Sequence, residues 1–319
     1  MSSRNISLAV VMDPIQSIHP EKDTTLALML NAERRGWQIH YLEIQDLFLK
    51  NGMPWGKTRR VTVKDDLKDW YSLFEVKEQP LDQFDIILMR KDPPVTLEYI
   101  YATYILEHAE ANGSLVINKP QSLRDANEKM YATWFPHCMA PTLVSANIHT
   151  LKSFVHEHET VVFKPLAGMG GHSIFKCDIR DPNLSVVLET LTDYGSRYTM
   201  AQKYIPEIVK GDKRIFLIDG DPIPIALARI PKKGEFRGNL AVGGKGEAVP
   251  LSDRDLWICN QIGNTLKNRG LSFVGIDVIG DYLTEINITS PTCVRELEAQ
   301  ASINVTDRIL DAMLEKLTE

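Results

Sequence analysis

Two strand-like runs near the middle of the chain enclose a loop rich in glycine. The first run, residues 161–163, is β-branched and aromatic, and the second covers residues 173–176. The loop between them contains Gly168, Gly170 and Gly171. Such a hairpin presents backbone N–H groups with no side chains in the way, which suits the oxygens of a polyphosphate. Lys164, at the end of the first run, adds a positive charge suited to phosphate.

This loop differs from the two common glycine motifs that bind phosphate. The Walker A loop and the dinucleotide fingerprint both open a helix, whereas this loop returns to a strand. A flexible surface turn is the alternative interpretation of such a glycine cluster. The loop alone therefore leaves both interpretations open, and the downstream sequence has to decide between them.

The composition is ordinary for a globular protein and excludes several function classes. The chain has 319 residues and a net charge of −6, so it lacks the basic surface of a nucleic-acid-binding protein. Its apolar runs are too short for a membrane span, and the N-terminus lacks the apolar core of a signal peptide. The four cysteines are scattered, which argues against a zinc site and a disulfide framework. We therefore predict a cytoplasmic protein without nucleic-acid or membrane partners.

The first third of the chain alternates strand-like and helical segments. Buried strands are predicted at residues 6–12, 38–43, 85–89 and 115–117, and helices at residues 24–35 and 97–111. This alternation predicts an open, mostly parallel α/β sheet. Ligands collect at the carboxyl ends of such strands, so Arg90 is a candidate anion contact. A surface ion pair between Arg90 and Asp92 is the alternative.

Further segments flank the glycine hairpin on both sides. A helix is predicted over residues 123–135, where Lys129 is interpreted as a solvated helix lysine. A strand is predicted at residues 198–204, and a hairpin follows across Asp219-Gly220. Residues 231–246 contain five glycines, and their length favours a mobile lid over a linker.

Carboxylates lie in two neighbouring runs near the C-terminal end. The apolar run at residues 273–279 carries Asp277, and the alternating run that follows puts Glu285 and Asn287 on one face. A loop over residues 280–282 would pair Asp277 directly with Glu285, and we predict this register because paired residues face the same way. Carboxylate and amide oxygens suit a hard cation that also binds nucleotide phosphates. The alternative is that Asp277 caps a turn or pairs with an arginine.

Taken in order, these features resemble the ATP-grasp superfamily. Five blocks resemble the bacterial glutathione synthetases in particular, at residues 89–94, 118–125, 164–171, 237–241 and 284–293. The resemblance covers nearly the whole chain and implies an α/β (α+β composite) fold, with an N-terminal open parallel α/β sheet before a two-lobed ATP-grasp fold. The implied divisions are an N-terminal domain at 1–128, a small lobe at 129–203, and a large lobe at 204–319 with its lid at 231–246.

The resemblance also implies an activity. Glutathione synthetases join γ-L-glutamyl-L-cysteine to glycine, with ATP converted to ADP and phosphate through an acyl phosphate. Such an enzyme holds the phosphates, neutralises their charge and excludes water, and it needs no nucleophilic side chain. The implied cofactors are ATP and Mg²⁺ or Mn²⁺, and the family implies a homotetramer.

Single residues gain roles from the same resemblance. The implied ATP-binding set is Lys129, Lys164, Gly168, Gly170, Gly171, Gln202, Lys203, Tyr204, Ile205 and Asp212. The implied catalytic residues are Arg214 and Arg229. The implied peptide-binding set is Arg90, Asn287, Ser290 and Thr292, and the implied metal ligands are Asp277, Glu285 and Asn287.

Two other functions stay open from the sequence. Another ATP-grasp ligase, such as a D-alanine–D-alanine ligase or a ligase that adds glutamate to a peptide, would share the ATP and metal residues and differ at Arg90 and at residues 290–295. A non-catalytic ATP-binding module resembling the synapsins could lose the metal carboxylates or Arg229. This chain retains them, which disfavours that function.

Overall fold

The computed structural model describes residues 5–240 and 243–318, and its N-terminal part contains a seven-stranded sheet. The elements of this part are β1 (Ser7–Val11), α1 (Thr24–Arg34), β2 (Gln38–Leu42), β3 (Leu47–Lys50), β4 (Met53–Val63), β5 (Tyr71–Pro80), β6 (Ile86–Met89), α2 (Leu97–Ala111), β7 (Leu115–Ile117) and α3 (Pro120–Asp125). The strand order is β3-β4-β2-β1-β6-β7, with β5 paired to β4. Strands β2, β1, β6 and β7 are parallel, whereas β3, β4 and β5 join antiparallel.

The parallel half of this sheet confirms the predicted alternation of strands and helices. Ala9 and Val11 of β1 pack in a core with α2. Leu8 and Val10 pack in a second core with α1, so both faces of the strand are buried, as in other parallel sheets. The sequence does not predict β3, β4 and β5. Residues 47–80 mix charged and apolar side chains, and much of β5 is exposed, so no clear apolar pattern marks these strands.

The middle of the chain forms a four-stranded antiparallel sheet with helices on one face. Its elements are β8 (Thr142–Ser145), α4 (Ile148–His158), β9 (Thr160–Pro165), β10 (Phe175–Asp178), α5 (Leu184–Thr192) and β11 (Thr199–Lys203), and the strand order is β10-β9-β11-β8. Phe175 pairs with Phe163, which confirms the predicted hairpin around the glycine loop. Phe163 and Ala201 pack against α4 and α5, so the opposite face of the sheet is free to form a site.

The last part of the chain forms a six-stranded antiparallel sheet. Its elements are β12 (Asp212–Ile218), β13 (Asp221–Pro222), β14 (Ile225–Ile230), β15 (Lys245–Pro250), α6 (Asp253–Asn268), β16 (Phe273–Ile279), β17 (Tyr282–Asn287), α7 (Val294–Gln300) and α8 (Val305–Lys316). The order is β15-β14-β12-β16-β17, with β13 paired to β12. Ile215 and Leu217 of β12 lie in the same core as α6 and α2, which ties this sheet to the N-terminal part. Within the described ranges, no helix is long and apolar enough to cross a membrane.

The predicted helix over residues 123–135 is wrong. The helix there is α3, which starts at Pro120 and ends at Asp125. Asn127 then forms a turn, in which its side-chain oxygen accepts hydrogen bonds from the backbone N–H groups of Lys129 and Met130. Such local bonds compete with a helix. Lys129 is only 6% exposed, so it is not a solvated helix lysine.

Candidate active site

Two adjoining cavities lie between the sheets. The first lies where the four-stranded and six-stranded sheets face each other, and the second lies beside the N-terminal sheet. We call the first the hinge cavity, because residues 202–205, which connect the two sheets, line it. It has a volume of about 840 Å³ and is also lined by β9, β11, β16 and the glycine loop. The strand-end cavity, of about 1500 Å³, opens between the segments that follow β1, β6 and β17. Met169, Gly170, Asn239 and Glu285 line both cavities, so the two form one continuous site.

Two lysines line the floor of the hinge cavity, of which Lys129 is buried and Lys164 half-buried. Lys129 Nζ donates to the backbone oxygen of Gly168 at 2.8 Å and lies 2.9 Å from Glu285 Oε1. Lys164 Nζ donates to Gln202 Oε1 at 3.0 Å. Burial lowers the pKa of Lys164, and the nearby Glu285 and Asp212 carboxylates partly offset that effect. Two ammonium groups beside a glycine loop are suited to polyphosphate.

Apolar side chains form the wall of the hinge cavity next to these lysines. The wall consists of Val162, Ile174, Ile205, Ile208 and Ile279. Tyr204 follows β11, and Lys176 Nζ lies 3.8 Å from the centroid of its ring. An apolar slot that leads to a pair of cations suits a planar base attached to phosphates.

The strands β16 and β17 place Asp277 opposite Glu285, which confirms the predicted pairing. The predicted loop over residues 280–282 is wrong, because the turn comprises residues 280–281 only. A β-bulge at Thr284 supplies the extra residue and restores the pairing. The Thr284 hydroxyl donates to the backbone oxygen of Asp277 at 3.1 Å, which fixes the bulge beside the carboxylates.

Two arginines enclose the Asp277 carboxylate. Arg214 donates from Nε and Nη2 at 2.6 and 3.1 Å, and Arg229 Nη2 lies 2.9 Å from Asp277 Oδ2. Burial disfavours the charged carboxylate, but the two arginines outweigh burial and hold the pKa of Asp277 far below its ordinary value. Arg229 also pairs with Asp212 at 2.6 Å, yet burial dominates there and raises the pKa of Asp212 to about 6. The sequence left open the alternative that Asp277 pairs with an arginine, and this pairing is present.

The predicted metal ligands offer oxygen donors at the junction of the cavities. Asp277 lines the hinge cavity, Asn287 lines the strand-end cavity and Glu285 lines both. Asn287 Nδ2 is buried and has no hydrogen-bond partner within the described part of the chain, so its N–H groups remain available to an acceptor atom of a ligand, while its amide oxygen is the atom that could bind a cation. Residues 5–240 and 243–318 contain no group of three or more His, Cys, Asp and Glu side chains that could hold a metal by themselves. The donors therefore fit a hard cation whose shell is completed by phosphate oxygens.

Arg90 lies behind the wall of the strand-end cavity. It is 5% exposed, and its guanidinium donates to Thr25 Oγ1 at 3.1 Å and to the backbone oxygen of Pro291 at 3.0 Å. Its Nη1 atom is buried and has no partner among the residues described. Ser290 and Thr292, on either side of Pro291, line the cavity. Arg90 therefore supports this segment from behind.

The predicted lid lies over the glycine loop. Arg237 Nη1 donates to the backbone oxygen of Gly171 at 3.1 Å, and Glu235 holds the same guanidinium at 2.7 Å. A Cβ atom added to Gly238 would lie 2.3 Å from the backbone oxygen of Arg229, so the lid passes this site at close range. Residues 241–242 of the predicted lid lie outside the described residues.

Comparisons with known proteins assign both halves of this architecture. The family model described as the N-terminal domain of prokaryotic glutathione synthetase matches residues 6–124, and the model for the ATP-grasp domain of the same enzyme matches residues 128–302. The glutathione synthetase of Vibrio vulnificus (strain YJ016) is 54% identical over 312 residues, which cover 98% of each chain. The chain belongs to the prokaryotic glutathione synthetase family.

Solved structures support the fold expected of this family. D-cycloserine synthetase DcsG matches with a TM-score of 0.68 and 14% identity, over 98% of this chain and 99% of that chain. The ATP-grasp ligase PsnB, complexed with minimal precursor, Mg and ADP, matches with a TM-score of 0.64 and 16% identity over 98% of each chain. This chain is thus an ADP-forming ligase with an ATP-grasp fold, and the fold, family and enzyme class expected from sequence are confirmed.

The family's implied site residues fall into the two cavities with one exception. The implied ATP-binding residues all line the hinge cavity, namely Lys129, Lys164, Gly168, Gly170, Gly171, Gln202, Lys203, Tyr204, Ile205 and Asp212. Both catalytic candidates and most of the implied peptide-binding set line the strand-end cavity, namely Arg214, Arg229, Asn287, Ser290 and Thr292. Arg90 lies behind this set, and the roles of all these residues stay predictions.

Glu128 is a site residue that the sequence did not reveal. Its Oε1 atom accepts hydrogen bonds from the backbone N–H groups of Ile288 and Thr289 at 2.9 and 3.1 Å and from the Thr289 hydroxyl at 2.8 Å. Its backbone oxygen accepts from Ile286 N at 2.9 Å. Glu128 therefore holds the chain on both sides of Asn287. The residues around Glu128 show no motif that would predict its contact with residues 286–289, which are far away in the sequence.

Proposed function

We propose that this chain ligates γ-L-glutamyl-L-cysteine to glycine, with ATP in the hinge cavity and the peptide in the strand-end cavity. The observation that carries this proposal is the position of Glu285, which lines both cavities and lies 2.9 Å from Lys129. A phosphoryl group that passes from ATP to a substrate carboxylate has to cross this junction. The family membership supplies the identity of the two substrates.

The phosphates of ATP are proposed to bind between Lys129, Lys164 and the glycine loop. The two ammonium groups and the free backbone N–H groups would neutralise and orient the phosphates before any bond changes. Arg214 and Arg229 line the neighbouring cavity, and their pairing with Asp277 fixes both guanidinium groups. We assign them to the charge that develops on the transferred phosphoryl group and on the acyl phosphate.

A divalent cation, Mg²⁺ or Mn²⁺, is proposed to bind Asp277, Glu285 and Asn287. When bound, it would neutralise charge on the phosphate oxygens. Residues 236–239 of the lid cover the glycine loop, where they are suited to keep water from the acyl phosphate. Arg90 supports the peptide side by holding Pro291, between the cavity residues Ser290 and Thr292.

The reaction is tested by phosphate release from ATP and Mg²⁺ with γ-glutamylcysteine, with and without glycine. Release that needs both acceptors and yields glutathione is the expected result. Release with a different acid or amine would keep the ATP site and discard the substrate assignment. ATP binding without any release would support the non-catalytic module.

Glu285→Gln tests the metal assignment. It keeps the shape and removes one carboxylate charge, so kcat should fall by at least about tenfold and recover in part at high Mg²⁺. Glu78→Gln is the matched control, because Glu78 forms an exposed pair with Lys57 and neither residue lines either cavity. Near-normal turnover of Glu285→Gln at low Mg²⁺ would contradict the assignment.

The cellular and quaternary settings are also proposals. We propose a cytoplasmic homotetramer, on the basis of the family resemblance and of four free cysteines that are all buried. The domain divisions at residues 1–128, 129–203 and 204–319 belong to the same proposal. Light scattering on the purified full chain measures the mass, and a monomer at working concentration would overturn the tetramer.

A further inference from the structure

Three polar side chains lie in a row across the face of the four-stranded sheet that borders the hinge cavity. Gln202 of β11 is directly opposite Thr142 of β8 on one side and Val162 of β9 on the other. Lys164 is two residues beyond Val162, so its side chain points to the same face. Thr142, Gln202 and Lys164 are thus neighbours on three adjacent strands, although they are far apart in sequence.

The chemistry of the lysine fixes the direction of every hydrogen bond in this row. An ammonium group can only donate, so the atom of Gln202 that lies 3.0 Å from Lys164 Nζ has to be the carbonyl oxygen Oε1. Gln202 Nε2 then faces Thr142 Oγ1 at 3.1 Å, and this oxygen accepts. The Thr142 hydroxyl uses its own proton to donate to the backbone oxygen of Ala140 at 2.8 Å. Exchange of the Gln202 side-chain oxygen and nitrogen would place an N–H group against the Lys164 ammonium group, so the opposite orientation of the amide is excluded.

The row gives Lys164 a fixed position without cancelling its charge. Gln202 is 2% exposed, so both polar atoms of its side chain are already engaged inside the protein. Lys129 has a carboxylate partner, Glu285, at 2.9 Å. Within the described ranges, Lys164 forms no ion pair and is held by a neutral amide. Its positive charge therefore stays available to an anionic ligand.

We propose that Gln202 and Thr142 are positioning residues for the phosphate-binding Lys164, and that the Gln202 side chain is not an adenine contact. This inference rests on the proposed nucleotide site. Thr142 is not among the residues that line either cavity, so it acts on ATP only through Gln202 and Lys164. The backbone of residues 202–205 is left to contact the base.

Thr142→Val and Thr142→Ser test this proposal as a matched pair. Valine has nearly the same shape and suits a strand, but it offers no acceptor to Gln202 Nε2. Thr142→Val removes the hydrogen bond from Gln202 Nε2 and the one to the backbone oxygen of Ala140. It should raise the Kd of ATP, measured by calorimetry on the full enzyme, about three- to tenfold. Thr142→Ser keeps the acceptor and should match the wild type. The KM of γ-glutamylcysteine should be unchanged in both variants.

Nucleotide preference separates this role from base recognition. The ratio of the Kd values of ATP and GTP should be unchanged in Thr142→Val, because only the phosphate contact is weakened. A changed ratio would mean that Gln202 reads the base, and it would overturn the proposal. An unchanged Kd for ATP in Thr142→Val would overturn it too, provided that the wild type binds ATP. If the wild type binds no ATP, the proposed function itself fails.

Discussion

Glu128→Ala should both loosen the substrate side of the site and destabilise the fold. The Glu128 carboxylate accepts three hydrogen bonds through Oε1, at 2.8, 2.9 and 3.1 Å. Hydrogen bonds to a charged group contribute about 1.5–3 kcal/mol each, which gives an upper limit of about 5–9 kcal/mol. Water in the adjoining cavity can replace part of these bonds, and removal of a half-buried carboxylate relieves its desolvation cost. We therefore expect a net loss of about 2–4 kcal/mol in the free energy of unfolding.

The matched variant Glu128→Gln separates hydrogen bonding from charge. Glutamine keeps an acceptor oxygen, so its unfolding free energy should stay within about 1 kcal/mol of the wild type at neutral pH. Burial, and next the Glu285 carboxylate, raise the pKa of Glu128 above its ordinary value. A raised pKa in the folded state means that its contribution to stability is present at low pH and is lost as the pH rises through that pKa. Glu128→Gln should therefore gain stability relative to the wild type as the pH rises from about 4.5.

Thermal unfolding and steady-state kinetics measure the two effects. A loss of about 2–4 kcal/mol should lower Tm by roughly 3–6 °C for a chain of this size. Because the Glu128 side chain holds Ile288 and Thr289, the two residues after Asn287, Glu128→Ala should raise the KM of γ-glutamylcysteine about tenfold or more. Glu128→Gln should raise it about threefold or less. A Glu128→Ala enzyme with wild-type Tm and wild-type KM would refute the reasoning. An equal loss of Tm and an equal rise in KM in Glu128→Ala and Glu128→Gln would show that the charge of Glu128 matters more than its hydrogen bonds.

Two glycine substitutions test close contacts elsewhere. Gly220→Ala puts a Cβ atom 2.5 Å from the backbone oxygen of Gly263 at a φ of +87°, so it should cost about 2–4 kcal/mol of stability. Gly36→Ala is the control, because Gly36 has a φ of +76° and no atom near the added Cβ. It should cost only about 1 kcal/mol of stability. Thermal unfolding measures the stability of both variants. Gly171→Ala puts a Cβ atom 2.6 Å from Asn239 Oδ1 and should displace the lid. It should lower kcat, and a kcat equal to that of the wild type would contradict this contact.

Much of the fold follows from local sequence patterns. The alternation in the first third predicts the parallel half of the N-terminal sheet, and the predicted hairpin around the glycine loop is present, with its second strand starting at Phe175 and not at residue 173. The prediction fails where local signals are weak or compete. Residues 47–80 give no clear apolar pattern, and the turn at Asn127 ends a helix that the pattern extends to residue 135.

Sequence patterns and motifs predict the family, the parallel strands and helices of the first third, and the residue types that the site contains. Those depend on local periodicity and on motifs that lie within a few residues of each other. Three features of the site are visible only in the folded chain, namely the bulge at Thr284, the orientation of the Gln202 amide and the position of Arg90 behind the cavity wall. Each of these depends on a partner in another strand or loop. Register and hydrogen-bond direction between distant segments are set by packing, which a local pattern does not encode.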